Sequence, residues 1–141
     1  MKLTKTELEV LRSIEEINLK YCLKNKVKGF NILNHLEYDK EIKLTSLGFK
    51  RIANKLEKLE LIELKKADYV DDYFLKLTDY GIEIIIENLI NILDNELIES
   101  YELDNYGDEW FISYDGKSIN ELDFDNNKIW DMVFQLNRLC F

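Results

Sequence analysis

A chain of 141 residues that is 46% hydrophobic and lacks proline can bury one core, and it holds no Pro-rich or Gly/Ser-rich linker to separate independent units. Cys22 and Cys140 are too few and too far apart for a secreted disulfide scaffold, so free thiols in a reducing cytoplasm are expected. The net charge of −9 has the wrong sign for a chain that approaches phosphate, but it is unevenly spread: residues 1–70 hold 15 Lys/Arg against 11 Asp/Glu, and residues 71–141 hold 4 against 17. The first half can approach a polyanion; the second would repel one.

Taken in chain order, a first helix begins at TKTELEVLRSIEEINLKY. Thr4 and Glu7 have capping-box spacing. Leu8, Leu11, Ile14 and Ile17, with Val10 and Tyr21, recur at helical period. KNKVKG breaks the pattern, with Gly29 able to take a turn conformation, and FNILNHLEY gives a short helix expected to bury Phe30, Leu33 and Leu36. After DKEIK, Thr45 or Ser46 can cap a third helix with Phe49, Ile52, Ala53, Leu56 and Leu59 inward. LIELKK and YFLKLT alternate as half-buried strands do, around the turn ADYVDD. Thr78 or Asp79 starts a fourth helix carrying Ile82, Ile85, Ile86, Leu89, Ile90 and Leu93, a stripe broad enough for a core and a second contact. No apolar signal core opens the chain. The most apolar run, GIEIIIENLINIL, is interrupted by Glu83 and Glu87 and too short to span a bilayer; a cytoplasmic protein without a membrane segment is expected.

Three helices, a two-stranded hairpin and a further helix resemble the winged helix-turn-helix of the MarR and PadR transcription regulators. KGFNILNHLEY resembles the second-helix segment of PadR-type proteins, FKRIANKLEKLELIEL the recognition helix and first wing strand, and DYFLKLTDYGIEII the second wing strand and the helix after it. The resemblance covers residues 4–93. It departs at Glu60, where the families usually have glycine, and in the wing, where Asp68, Asp71 and Asp72 stand without an arginine. It implies a mainly α fold with a small β-wing, of α+β class, with a winged helix-turn-helix domain over residues 1–93; the acidic extension over residues 94–141 falls outside the resemblance. In that extension, DNELIESYELDNYGDE reads as a solvated acidic stretch that can begin as a continuation of the fourth helix, and WFISYDGKSINEL as a hairpin turning at Asp115-Gly116. DNNKIWDMVFQLNRLCF reads as a closing helix capped near Asp125 to Asn127, with Ile129, Trp130, Val133, Phe134 and Leu136 available for burial.

A helix fits the major groove, where Arg and Lys donate to guanine and Asn pairs with adenine. Lys50, Arg51, Asn54, Lys55 and Lys58 face outward on the third helix. Thr45 and Ser46 at its start can hold a phosphate, and Lys43, Lys65, Lys66 and Lys76 could add salt-dependent affinity. Ile85, Leu89, Ile92 and Leu93 are the expected contact between two subunits. Catalysis has little support: His35 is the only histidine, and the sequence holds no zinc-spaced Cys/His cluster, glycine-rich phosphate loop or G-x-S-x-G elbow. Asp104, Asp108, Glu109, Asp123 and Asp125 lack the calcium-loop spacing. A non-enzyme without cofactor or metal is expected.

The leading expectation is a homodimeric transcriptional regulator that reads double-stranded DNA with the helix over residues 45–59. The alternative is an inhibitor on a winged-helix scaffold, similar to phage and mobile-element products such as anti-CRISPR proteins, whose carboxylates occupy a nucleic-acid channel. Its surface would be Asp68, Asp71 and Asp72 on the wing together with Asp94, Glu99, Tyr101, Glu102, Asp104, Tyr106, Asp108 and Glu109, aromatic anchors among carboxylates that suit a partner rich in Lys and Arg. A plasmid partition or replication adaptor would share the fold.

Overall fold

In the computed structural model, which describes residues 2–21, 27–66, 72–97, 101–107, 109–119 and 127–140, the capping box of the first helix is formed in both directions. The Thr4 amide donates to Glu7 Oε1 at 2.8 Å, and the Glu7 amide donates to Thr4 Oγ1 at 3.1 Å. That satisfies two of the free donors at the start of α1 (Lys5–Tyr21). Val10, Leu11, Ile14 and Ile17 are buried along it. The side chain of Tyr21, like Cys22, lies outside the described residues. The protein is mainly helical with two small antiparallel sheets, an α+β arrangement. It divides into two compact units, residues 1–85 and 86–141, a boundary inside the fourth helix rather than after residue 93.

In the first unit, β1 (Val27–Lys28), α2 (Gly29–Asp39), α3 (Ser46–Lys58), β2 (Ile62–Lys66) and β3 (Tyr73–Leu77) follow α1, and α4 (Asp79–Glu96) begins at its end. The sheet order is β1-β3-β2, with Val27 opposite Leu75 and Ile62 opposite Leu77. The strand β1 is an addition to the expected elements, since two residues carry no periodicity. Val27, Ile32, Leu36, Phe49, Ala53, Leu56, Ile62 and Leu75 join the α1 stripe in the buried set, where each large aliphatic side chain contributes about 1.5–3 kcal/mol.

Two expectations fail at the start of α2. Gly29 is not a turn residue but the first residue of the helix. A Cβ there would sit 2.8 Å from both Asp72 Oδ1 and Phe49 Cε1, so any larger residue would have to displace one of these side chains. Phe30 is 62% exposed rather than buried, because the helical phase gives the inward positions to Ile32 and Leu36.

The end of α3 explains Glu60. The Glu60 amide donates to the Glu57 carbonyl at 2.9 Å and the Leu61 amide to the Leu56 carbonyl at 3.0 Å, a Schellman closure with buried Leu56 and Leu61 at its ends. Such a closure needs a left-handed residue after the helix, and Glu60 takes it at φ +62°. The Leu61 carbonyl then accepts from the Thr78 amide at 3.1 Å. The Thr78 hydroxyl donates to the Glu60 carbonyl at 2.6 Å and accepts from the Gly81 amide at 3.0 Å, capping α4.

In the second unit, β4 (Tyr101–Tyr106), β5 (Glu109–Tyr114) and β6 (Lys117–Ser118) form a sheet in that order, followed by α5 (Asn127–Cys140). The acidic stretch from Asp94 begins as the continuation of α4, as expected, and then holds an unexpected strand, β4, with no fully buried residue. Asp115 and Gly116 form the expected two-residue turn at φ +48° and +79°, with Tyr114 opposite Lys117. The Asn137 side chain on α5 accepts from the Trp110 amide at 2.7 Å and donates to the Trp110 carbonyl at 2.9 Å. Ile129, Trp130, Met132, Val133 and Leu136 are buried, whereas Phe134 is 43% exposed and stacks on Trp130 at 6.2 Å. Asp125 lies outside the described residues.

Gly81 and Glu60 generate opposite predictions. A Cβ on Gly81 would lie 2.1 Å from the Leu61 carbonyl oxygen, so Gly81→Ala should destabilise the protein by about 2–3 kcal/mol or more. Glu60→Gly should leave stability unchanged or raise it by up to about 1 kcal/mol, since glycine enters the left-handed region without steric cost. Urea midpoints of the two variants should move in opposite directions, or only the first should move.

Candidate nucleic-acid interface

Thr45 caps α3 by accepting the Gly48 amide on its hydroxyl at 3.0 Å, and Ser46 is the first helical residue. Phe49, Ala53 and Leu56 are buried, which fixes the rotation of the helix. At about 100° per residue, the side directly opposite carries Leu47, Arg51, Asn54 and Lys58, one stripe along the full helix. All four are exposed, Leu47 by 59%. No hydrogen bond or ion pair engages the Arg51, Asn54 or Lys58 side chains among the described residues. Leu47 is absent from the expected outward set because an apolar residue is ordinarily taken to point inward; the phase of Phe49, Ala53 and Leu56 is the signal that places it outside.

The remaining basic candidates are divided. Lys55 leaves the stripe and pairs with Glu7 on α1, Nζ to Oε2 at 2.8 Å. Burial pushes the Glu7 carboxyl up, but the Lys55 and Thr4 hydrogen bonds outweigh it and hold the group below its ordinary value. Lys50 lies 5.5 Å from the Tyr73 ring centre, a cation–π contact. The pleat sets Lys66 on the same sheet face as Tyr73 and Leu75, whereas Lys65 and Lys76 share the other face with Glu63 and Phe74. All three lysines are exposed, as is Lys43. The acids expected beside them contribute less than their number suggests. Asp68 and Asp71 lie outside the described residues, and Asp72 accepts the Phe30 amide at 3.2 Å and the Tyr73 amide at 2.7 Å.

On α4, Ile85, Leu89 and Leu93 have no exposed surface. Residues buried within their own chain cannot also form a contact between subunits, which corrects the expectation for these three; Ile92 is half-buried. Among the acidic-surface candidates, Asp94, Glu102, Tyr106 and Glu109 are exposed, Tyr106 by 83%. Asp104 is instead engaged by the buried Ser113 hydroxyl. Tyr101 packs across the strands on Tyr114 at 4.7 Å. Glu99 and Asp108 lie outside the described residues. Among the described residues no group of His, Cys, Asp and Glu is placed to hold a metal ion, and no helix is long and apolar enough to cross a membrane.

His35 belongs to a charged seam between α1 and α2. Its Nε2 lies 2.8 Å from Glu16 and its Nδ1 2.6 Å from Asp39. Lys40 reaches Glu16 at 3.1 Å, and Arg12 spans Glu9 and Glu16 at 3.3 and 3.9 Å. The Glu16 hydrogen bond raises the His35 pKa above its usual 6.5, against the opposing effect of burial. Burial pushes Glu16 up, but His35, Lys40 and Arg12 together hold it below 4.5. These partners account for the histidine as a tie between helices. A search of protein families, of curated proteins and of solved structures finds no match to this chain.

The seam fixes the sign of a pH dependence. A histidine whose folded pKa is raised contributes stability that is complete below about 6.5 and is lost as pH rises through the folded value. Glu16, with its pKa lowered, contributes above about 4.5 and loses that contribution as pH falls. His35→Gln should therefore destabilise the protein at pH 6 more than at pH 9 in urea titrations. An equal loss at both values would remove His35 as the titrating group.

Proposed function

We propose that residues 1–93 form a winged helix-turn-helix and that the protein is a DNA-binding transcriptional regulator that reads the major groove with α3. The observation that supports this most is the Leu47–Arg51–Asn54–Lys58 stripe, exposed along a helix whose opposite side is anchored in the core. Arg51 can donate to guanine, Asn54 can pair with adenine, Leu47 can meet a thymine methyl and Lys58 can neutralise a phosphate. Lys50 and Lys66, on the side of the sheet that faces Tyr73, extend the basic surface. The order of helices and hairpin supports the same reading through its likeness to the MarR and PadR regulators. Pairing of two copies would set two such helices on successive turns of DNA, with Ile92 the most accessible of the α4 residues considered for that contact. The protein acts by binding, without catalysis or cofactor, in the cytoplasm.

The second reading, an inhibitor that presents a carboxylate surface to a basic partner, is favoured by one observation: Glu109 stands exposed opposite the 83% exposed Tyr106, with Glu102 exposed further along β4. Loss of function separates the two. A regulator depends on the α3 stripe, an inhibitor on the carboxylates of the second unit.

Arg51→Ala with Asn54→Ala should abolish preference for a duplex selected from a random pool, since each bidentate pairing with a base is worth about 1–3 kcal/mol of discrimination; the circular dichroism spectrum should be unchanged. Lys58→Ala should weaken all duplexes alike and lower the salt slope by about one. Fluorescence anisotropy at two salt concentrations measures both; a double variant that still prefers the selected duplex would exclude α3 as the reading element.

A further inference from the structure

A cleft of about 550 Å³ opens between the first turn of α2, the first turn of α3 and the start of β3, entirely within the first unit. Its size and mainly apolar lining are those of a site for a small organic group rather than of a packing fault. Among the described residues three aromatic rings reach it, Phe30, Phe49 and Tyr73, and the Phe30 ring is 62% exposed with the sheet and helices already formed. Among the described residues, Lys28 and Lys50 add two cations to the lining, and Asp72 is the one acid in it. The Asp72 carboxylate already accepts the Phe30 and Tyr73 amides, yet each of its oxygens retains a lone pair for a further donor. Ser46, Leu47 and Lys50 line the cleft and also belong to α3, so the cleft runs directly into the N-terminal end of the exposed stripe.

A planar apolar ring, an attached anion and a hydrogen-bond donor on the ring edge are the features these groups complement together, and a nucleotide carries all three. We infer that the cleft receives a single unstacked nucleotide from the nucleic acid lying along α3. The base stacks against Phe30, an exocyclic amine donates to Asp72, and Lys28 and Lys50 neutralise the flanking phosphates. This inference rests on the nucleic-acid reading of α3 and adds a preference to it: for duplexes holding an extrahelical or unpaired nucleotide, whose base need not be pulled from the stack.

The test is fluorescence anisotropy of the full chain on three labelled probes of one sequence: a matched duplex, the same duplex with a single-nucleotide bulge, and the single strand. The wild type should bind the bulged duplex about tenfold more tightly than the matched one. Phe30→Ser should remove that difference and leave matched-duplex affinity within about twofold. Phe30 is exposed, so the variant should fold, and circular dichroism checks this. A second variant, Lys28→Gln, should reduce the preference by its own route. Equal binding of bulged and matched duplexes by the wild type, or a preference that survives Phe30→Ser, would overturn this inference and leave the reading of α3 standing. No binding to any of the three at low salt would overturn both.

Discussion

The Leu61 carbonyl is the point on which the first unit turns. It stands directly after the left-handed residue that closes α3 and accepts the amide of Thr78, the residue that caps α4. One oxygen thus joins the end of one helix to the start of another, with β2 and β3 leaving and returning between them. The approach is tight enough that position 81 admits no side chain. The rotation of α3, and hence which residues it offers to solvent, follows from this junction together with the buried Phe49, Ala53 and Leu56. A surface stripe can be aimed only if its helix cannot roll.

Much of this is legible in the sequence because it depends on local chemistry. Thr4 and Glu7, Thr45 and the Asp115-Gly116 pair act within three or four residues of themselves, as does the Thr78 cap on Gly81, and these hydrogen bonds or backbone angles follow from spacing alone. What the sequence hides depends on distant partners. Nothing near Gly29 indicates that Asp72 and Phe49 crowd it. Two residues at Val27 and Lys28 become a strand only because Phe74 and Leu75 are beside them. The strand β4 is hidden by its composition, since Glu102, Asp104 and Asn105 disfavour strands and only pairing with β5 selects one.

The candidate interface is legible in the same uneven way. Arg51, Asn54 and Lys58 stand out because outward polar residues at helical spacing need no tertiary information. Leu47 and the cleft beside it do not, because hydrophobicity reads as burial. An exposed leucine at the start of a helix and an exposed phenylalanine at the start of its neighbour make sense only once both helix starts are known to adjoin one cleft. Lys55 is the converse case: its charge stands out in the sequence, but the pairing with Glu7 depends on a distant partner.

The bidentate pairing of Asn137 with Trp110 has a consequence for how the protein behaves in concentrated solution. Along the outer edge of β5, Ser113 and Tyr114 pair with β6, the Ile112 carbonyl accepts the Ile119 amide, and the Asn137 amide group stands in for a strand at Trp110. On this side the β5 backbone is already paired at these positions, and the exposed Glu102 sets negative charge on β4 at the other side of the sheet. One asparagine on a helix therefore acts as a guard against self-association through the sheet. Its loss would bare the Trp110 amide and carbonyl, the two groups that a strand from a second molecule could pair with.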